Sequence, residues 1–282
     1  MQNPVPHWLV YALIGTPVVV GLVLYGVTQW LNRRNVAKWK KARTAQISFH
    51  RINDYRHGVN LQEAIAHAKT LGVSHIEFDV RRTSDNVLVA WHDSQLPSGR
   101  LVSEEPYETY AAEVAGMACT VEDLIKSTVG SPKLQVDLKE TGYEEAVIEL
   151  LLKHCRPEDF VITSLEDASI RNIKAQFPMV RCGLSLGRDV SDETVGKRIT
   201  IRASELFPGR RIRTCQADFV AVNHKLARWT VLRYCHKHHL PAWVWTVDNA
   251  SDMQEFLVNP VVETLITNAP DVAMAVEAKH SC

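Results

Sequence analysis

Residues 75–80 read HIEFDV, and this short stretch shows the pattern on which the fold of the chain depends. Side chains alternate between the two faces of a β-strand, so Glu77 and Asp79 share one face while Ile76 and Phe78 point to the other. A strand that is apolar on one face and acidic on the other suits the wall of a barrel. Its apolar face would contact surrounding helices, and its acidic face would line the interior.

Seven other runs have the length and composition of a strand: 46–50, 134–139, 160–165, 181–186, 218–223, 242–247 and 264–268. Helical patterns lie between them. In 61–71, for example, the apolar residues form one stripe, Asn60 can cap the N-terminus and Gly72 can end the helix. Eight strand–helix repeats predict an α/β fold, a TIM (β/α)8 barrel over residues 45–282, with its active site at the carboxyl ends of the strands.

A further strand-like run, 87–92 (VLVAWH), does not fit this repeat. It follows 75–80 after only a few residues, whereas a parallel crossover needs a dozen or more. We therefore expect a hairpin that leaves the barrel mouth, turns near 84–86 and returns. Its last residues, His92 and Asp93, should then lie over the mouth.

The composition excludes several classes of protein. Of the 282 residues, 46% are hydrophobic and 23% are charged, which is typical of a globular protein and not of a disordered or collagen-like one. The formal net charge is +0, but residues 1–43 contain six of the 32 basic residues and no acidic residue, which leaves a net charge of −6 on the remainder. A nucleic-acid-binding protein would show a basic excess there, so we expect no nucleic-acid partner.

The N-terminal region has the features of a membrane anchor. Residues 8–31 are 24 positions without a charge, and a helix of that length rises ~36 Å, enough to cross a ~30 Å hydrocarbon core. Because basic flanks stay in the cytosol, the six Lys and Arg residues of 32–44 place the rest of the chain on the cytoplasmic side. The chain thus divides into a tail (1–7), a transmembrane helix (8–31), a basic juxtamembrane segment (32–44) and the barrel (45–282). A cleaved signal peptide is the alternative, but no basic segment precedes the apolar run.

Three carboxylates should meet inside the barrel. In KLQVDLKE (133–140), the alternation of side chains directs Asp137 and Lys139 to the interior. Asp137 thus joins Glu77 and Asp79. Carboxylates in a barrel interior repel each other unless a cation or a proton intervenes, and oxygen ligands suit a hard cation. The sequence therefore predicts a Mg²⁺ or Ca²⁺ site.

Two histidines should converge on the same opening. His50 ends the first predicted strand, and His92 ends the hairpin excursion. Imidazoles suit proton transfer near neutral pH, and Arg51 and Lys139 supply fixed positive charge beside them.

Six motifs follow each other along the predicted barrel: FHR (49–51), GVNLQEAIAHAKTLGVSHIEFDV (58–80), LVAWHD (88–93), LQVDLKE (134–140), VWTVDN (244–249) and LITNAPD (265–271). In this order they resemble the glycerophosphodiester phosphodiesterase family across nearly the whole barrel. The resemblance implies roles for eight residues: acid/base catalysis by His50 and His92, metal binding by Glu77, Asp79 and Asp137, phosphate contact by Arg51 and Lys139, and a place in the substrate site for Trp245.

The resemblance implies metal-dependent hydrolysis of glycerophosphodiester or lysophospholipid phosphodiester bonds, with the membrane and a phospholipid or glycerophosphodiester as partners. Three residues depart from the family pattern: Ile52 replaces the usual Gly, Val59 the usual acid, and Asp137 the usual Glu. The last change also occurs in the related spider sphingomyelinase D enzymes. A cyclising phospholipase of that kind, and a membrane-tethered lipid-binding module on an inactive barrel, are the alternatives. Water or a substrate hydroxyl can be the nucleophile, and either histidine the base.

Overall fold

The computed structural model describes residues 44–53, 60–114, 116–128, 130 and 132–279. The predicted transmembrane helix (8–31) and all of the basic segment up to residue 43 lie outside these residues. None of the helices in these ranges combines the length and the hydropathy that a membrane span requires.

The strands are β1 (Gln46–Phe49), β2 (His75–Arg82), β3 (Leu88–Ala90), β4 (Lys133–Leu138), β5 (Phe160–Ser164), β6 (Cys182–Leu186), β7 (Phe219–Asn223), β8 (Ala242–Trp245) and β9 (Val262–Thr267). Apart from β3, they form one parallel sheet in which β2 pairs with β4 and each later strand pairs with the next. Strand β1 pairs with both β9 and β2, which closes the sheet. The predicted TIM (β/α)8 barrel is confirmed.

The helices in this part of the chain are α1 (Leu61–Leu71), α2 (Tyr107–Glu113), α3 (Val121–Thr128), α4 (Glu144–His154), α5 (Asp167–Gln176), α6 (Val195–Leu206), α7 (Gly209–Cys215), α8 (His224–Leu226), α9 (Leu232–His238), α10 (Ala250–Leu257) and α11 (Pro270–Ala278). A π-helical turn, Ala227–Val231, joins α8 to α9.

Helix α1 shows why the sequence predicted its ends. The Asn60 side chain accepts a hydrogen bond from the backbone N–H of Glu63 at 2.9 Å, and the Glu63 carboxylate accepts one from the N–H of Asn60 at 3.3 Å. This reciprocal pair satisfies two N–H groups that the helix leaves unpaired. Gly72, with φ 70°, ends the helix in the left-handed region that glycine adopts without strain.

Two apolar cores lie on either side of the barrel wall. Outward residues of the strands, such as Ile76 and Phe78, are buried with the helices in the larger core. The interior contains a smaller cluster of Val161, Phe219, Ala221, Trp243 and Ile266. The barrel is thus a packed core and not a pore, and polar side chains collect at its mouth.

Strand β3 belongs to the predicted excursion. It runs antiparallel to β2, pairing Val80 with Ala90, and the turn between them contains Asn86 at φ 66°. The excursion has its own small core, built from Val89, Leu96, Val102, Tyr110 and Val114. The N–H of Trp91 donates to the carbonyl of Asp79 at 3.0 Å, so the returning chain lies beside the mouth. The hairpin prediction is confirmed.

Candidate active site

The predicted carboxylates meet at the mouth because β2 and β4 are neighbours. The register pairs Glu77 with Gln135 and Asp79 with Asp137, and all four residues are buried. Equivalent inward positions on adjacent parallel strands lie side by side. Two acidic side chains of different strands are therefore forced into one small space.

Lys139 neutralises this space. Its Nζ lies 2.6 Å from Asp79 Oδ1 and 2.7 Å from Asp137 Oδ2. Burial opposes ionisation of Asp79, but Lys139, followed by His92 and Arg51, outweighs it and lowers the pKa of Asp79 to about 2. Burial also opposes the charge on Lys139, yet Asp137 and Asp79 raise its pKa above the ordinary value. The two carboxylates and the ammonium form a charged unit.

Glu77 differs from its neighbour two residues away. Burial, and then the charges of Asp79 and Asp137, raise the pKa of Glu77 well above its ordinary value. Its Oε2 accepts a hydrogen bond from the backbone N–H of Arg51 at 2.6 Å. Arg51 makes this bond from the left-handed region, at φ 49°, and its Nε lies 3.6 Å from Asp79 Oδ2.

His50 is held in one tautomer by a chain of hydrogen bonds. Its Nδ1 lies 2.8 Å from Asn268 Oδ1, and Asn268 Nδ2 donates to Asp248 Oδ2 at 2.8 Å. Because a carboxylate only accepts, the amide oxygen of Asn268 must face His50, and Nδ1 must carry the proton. The lone pair of His50 is therefore on Nε2, which lies 3.9 Å from Glu77 Oε2. Burial, and then Arg51, lowers the pKa of His50 to about 4, so its neutral form dominates.

His92 reaches the mouth from the other side, on the excursion. Its Nδ1 lies 2.6 Å from Asp93 Oδ1, and its carbonyl accepts a hydrogen bond from Arg81 Nε at 3.0 Å. Burial lowers the pKa of His92, while Asp79 and Asp93 act in the opposite direction. His92 is more exposed than His50, with 37% of its side chain accessible against 14%. The two imidazoles thus stand in different environments at one opening.

Trp245 ends β8 and is half-buried at the same rim. A Cβ atom on Gly187 would lie 3.2 Å from the Trp245 ring and 2.5 Å from Asn223 Cβ, so only glycine fits there. Trp245 forms one wall of the mouth, two strands away from β1. The structure thus brings six predicted residues into one network, with His92 and Trp245 at its edges.

Three residues of the network were not predicted from the sequence. Asn268 and Asp248 orient His50, and Thr163 donates to Asp137 Oδ1 at 2.6 Å. Asn268 directly follows β9, and Asp248 follows β8 by three residues. A polar residue at a strand's carboxyl end was the signal that identified His50, and applied to β9 it would have found Asn268.

The donor set suits a divalent cation by its chemistry, since Glu77, Asp79 and Asp137 offer hard oxygen ligands. Among the described residues, however, no three His, Cys, Asp or Glu side chains are arranged as a metal-binding group. The Lys139 ammonium lies between Asp79 and Asp137 instead.

The model of the glycerophosphoryl diester phosphodiesterase family matches residues 50–104. Among curated protein sequences, none matches the chain.

Many solved structures have a similar fold, and three of them illustrate the match. A glycerophosphodiester phosphodiesterase from Parabacteroides distasonis has a TM-score of 0.69 at 16% identity, covering 85% of this chain and 99% of that one. A phosphodiesterase from Oleispira antarctica, in complex with the product sn-glycerol-3-phosphate, has a TM-score of 0.65 at 14% identity, covering 85% and 98%. A glycerophosphodiester phosphodiesterase from Thermotoga maritima has a TM-score of 0.61 at 17% identity, covering 83% and 98%.

These structures establish the fold that the chain shares with glycerophosphodiester phosphodiesterases. The family model covers the segment that carries five of the site residues, namely His50, Arg51, Glu77, Asp79 and His92.

Proposed function

We propose that the chain is a phosphoric diester hydrolase that cleaves glycerophosphodiesters or lysophospholipids. One observation carries the proposal: His50 and His92 converge on the cluster of Asp79, Asp137 and Lys139 at the barrel mouth. The match of residues 50–104 to the family model supports it. So does the fold shared with an enzyme whose product is sn-glycerol-3-phosphate.

Phosphodiester cleavage needs a proton removed on one side of phosphorus and delivered on the other. His50 suits the first task because Nε2 carries its lone pair and its lowered pKa keeps the imidazole neutral and able to accept a proton. It would take the proton of the attacking water or substrate hydroxyl as the new P–O bond forms. His92, paired with Asp93, would give its proton to the departing alkoxide as the old P–O bond breaks.

Arg51 and Lys139 would stabilise the charge that develops on the phosphate oxygens. Glu77 positions Arg51 through the bond to its backbone N–H. This bond stabilises the backbone of Arg51 in the left-handed region, while its Nε lies near Asp79.

A divalent cation is part of the proposal. Mg²⁺ or Ca²⁺ held by Glu77, Asp79 and Asp137 would supply further neutralisation of the phosphate charge. Lys139, which lies between Asp79 and Asp137, would add its own positive charge to this neutralisation.

The substrate class follows from the proposed anchor. We infer that residues 8–31 span a membrane and that the barrel lies on its cytoplasmic side, next to lipid. Such a position favours lysophospholipids, as in enzymes of lysophospholipase D type, over soluble glycerophosphodiesters.

The test uses the purified full chain in detergent with glycerophosphocholine and lysophosphatidylcholine. Phosphorus NMR separates hydrolysis from cyclisation, because a cyclic phosphate marks a sphingomyelinase D-like reaction. We expect hydrolysis that stops in chelator and returns with Mg²⁺ or Ca²⁺. Lack of turnover with either substrate and either metal would favour an inactive, lipid-binding barrel.

The metal ligands and the orientation need separate measurements. Asp79→Asn should abolish turnover and weaken metal binding without changing the far-UV circular dichroism spectrum. Unchanged metal affinity would remove Asp79 from the site.

In intact cells, externally added protease should leave residues 45–282 uncut, and cleavage there would place the barrel on the opposite side of the membrane.

A further inference from the structure

Helix α6 leaves a stripe of apolar side chains uncovered. Val195, Ile199, Ala203 and Phe207 recur at every fourth residue and form what we call the α6 stripe, along one side of the helix and its C-terminal end. Val195 is 71% exposed, Ile199 64% and Phe207 73%. Apolar side chains at helical spacing normally face a core, so their exposure marks a surface for contact.

The stripe is tied to the barrel mouth through a buried carboxylate. Glu205 Oε1 accepts hydrogen bonds from the backbone N–H groups of Gly187 and Arg188, each at 2.8 Å. Gly187 directly follows β6 and lies against Trp245. The C-terminal end of the stripe therefore lies on the mouth side of the barrel, near Trp245.

Basic side chains flank the stripe. Arg198 and Arg202 lie next to the stripe, three residues after Val195 and Ile199, whereas Lys197 lies on another side of the helix. The one acidic residue of the helix, Glu205, is buried and paired with Arg202. Lys197 contacts Glu193 of the preceding turn at 2.8 Å, but an exposed pair of this kind is weak. Arg210 is exposed just beyond Phe207.

We propose that the α6 stripe docks on an anionic phospholipid surface, with its apolar side chains at the headgroup boundary and its basic side chains on the headgroups. An exposed helix with an apolar face and a basic flank is the pattern of interfacial membrane binding. A second protein copy fits less well. Twelve residues of helix are ~18 Å long and ~10 Å wide. That face offers roughly 180 Å², against ~800 Å² per partner in a stable complex.

Docking would solve a geometric problem of the proposed anchor. The described chain begins at Thr44, beside the amino end of β1 and thus at the barrel end opposite the mouth. An anchor attached at that end would hold the barrel near the membrane but would not by itself orient the mouth toward the lipid surface. A second contact on α6 would do so. This step rests on the proposed function only in the choice of assay substrate.

Two variants test the stripe. Ile199→Glu places a charge in it, and Met179→Glu is the matched control, because Met179 is 60% exposed in the loop before β6, at the opposite end of the barrel. Hydrogen–deuterium exchange of residues 195–207 is measured in the full chain with excess vesicles of phosphatidylcholine, with and without phosphatidylserine. We expect slower exchange with phosphatidylserine in the wild type and in Met179→Glu, and less of this protection in Ile199→Glu.

Activity gives a second readout. Ile199→Glu should hydrolyse lysophospholipid in anionic vesicles roughly fivefold more slowly, the effect of about one charge at an anionic surface, and should keep its rate on soluble glycerophosphocholine. Equal exchange with both lipids overturns the docking proposal even if the enzyme is active. Protection that depends on protein concentration and not on lipid overturns it in favour of a contact between copies. Protection without any turnover would contradict the proposed function and leave docking standing.

Discussion

The two ends of strand β2 show how one buried wall creates opposite electrostatic environments. His75 lies at the amino end and Asp79 near the carboxyl end, both inside the barrel and both buried. Burial, and then Lys133 and Arg181, lowers the pKa of His75 to about 3, so this group stays neutral. Asp79 stays ionised, with a pKa of about 2.

The different charge states of Asp79 and His75 result from their contacts and not from their burial. Asp79 has an ammonium at 2.6 Å, whereas the His75 ring packs against Trp243 at a centroid distance of 4.8 Å. Its Nδ1 is buried without a hydrogen-bond partner among the described residues. A barrel interior therefore excludes charge unless a counter-charge is built in. The mouth supplies one and the opposite end does not.

The largest effect should come from the mouth histidines. General acid and base groups typically contribute ~10²–10⁴-fold, so His50→Ala or His92→Ala should lower kcat by that factor with a smaller change in KM. The double variant should lose little more than the worse single variant, because the two act as a unit. His75→Gln is the control from the other end and should stay within a few-fold of wild type. Near-normal kcat in His92→Ala would end the two-histidine mechanism.

Two lysines, near opposite ends of β4, should differ in how much they contribute to the stability of the fold. Lys139→Met removes the counter-charge of Asp79 and Asp137, and loss of one partner from a buried ion pair costs ~3–5 kcal/mol of unfolding free energy. Lys133→Met changes an exposed lysine at the opposite end and should cost within ~0.5 kcal/mol. Urea denaturation in chelator measures both. Equal losses in the two variants would mean that Lys139 is not the required counter-charge.

His75 should make stability depend on pH. Its pKa in the folded state is about 3, against ~6.5 when unfolded, so the unfolded chain binds the proton first as pH falls. Through His75 alone, the folded state loses ~1.4 kcal/mol of unfolding free energy per pH unit below ~6.5, or about 2 kcal/mol between pH 7 and pH 5, in addition to the loss through His50. Between pH 7 and pH 5, the free energy of unfolding of His75→Phe should therefore fall by about 2 kcal/mol less than that of the wild type. His238→Gln, an exposed histidine variant, should follow the wild type.

Much of the fold could be predicted because it depends on local patterns. Strand alternation placed Glu77, Asp79 and Asp137 on one side of the wall, and capping residues gave both ends of α1. The short spacing after β2 was enough to predict the excursion that carries His92.

The rest depends on contacts between loops that no local pattern encodes. The chain from His50 through Asn268 to Asp248 joins residues 218 and 20 positions apart. The Lys139 ammonium likewise lies between two carboxylates only in some of its side-chain rotamers. Which rotamer is adopted depends on all the charged groups of the mouth together. The exposed stripe of helix α6 could not be predicted either, because apolar residues at helical spacing normally indicate a buried face.

The smallest effect should come from Asp93, and it separates the two histidines of the mouth. Asn268 holds His50 within a hydrogen-bonded chain, whereas Asp93 holds His92 from a side chain that is 70% exposed. Exposed pairs contribute ~0.2–1 kcal/mol, so Asp93→Asn should lower kcat by no more than about fivefold. Asp93 raises the pKa of His92, and a general acid works only when protonated. The alkaline limb of the pH–rate profile should therefore move to lower pH in Asp93→Asn, and raising the salt concentration should move the wild-type limb the same way. If the acidic limb moved instead, His92 would be the base and the roles proposed for the two histidines would be exchanged.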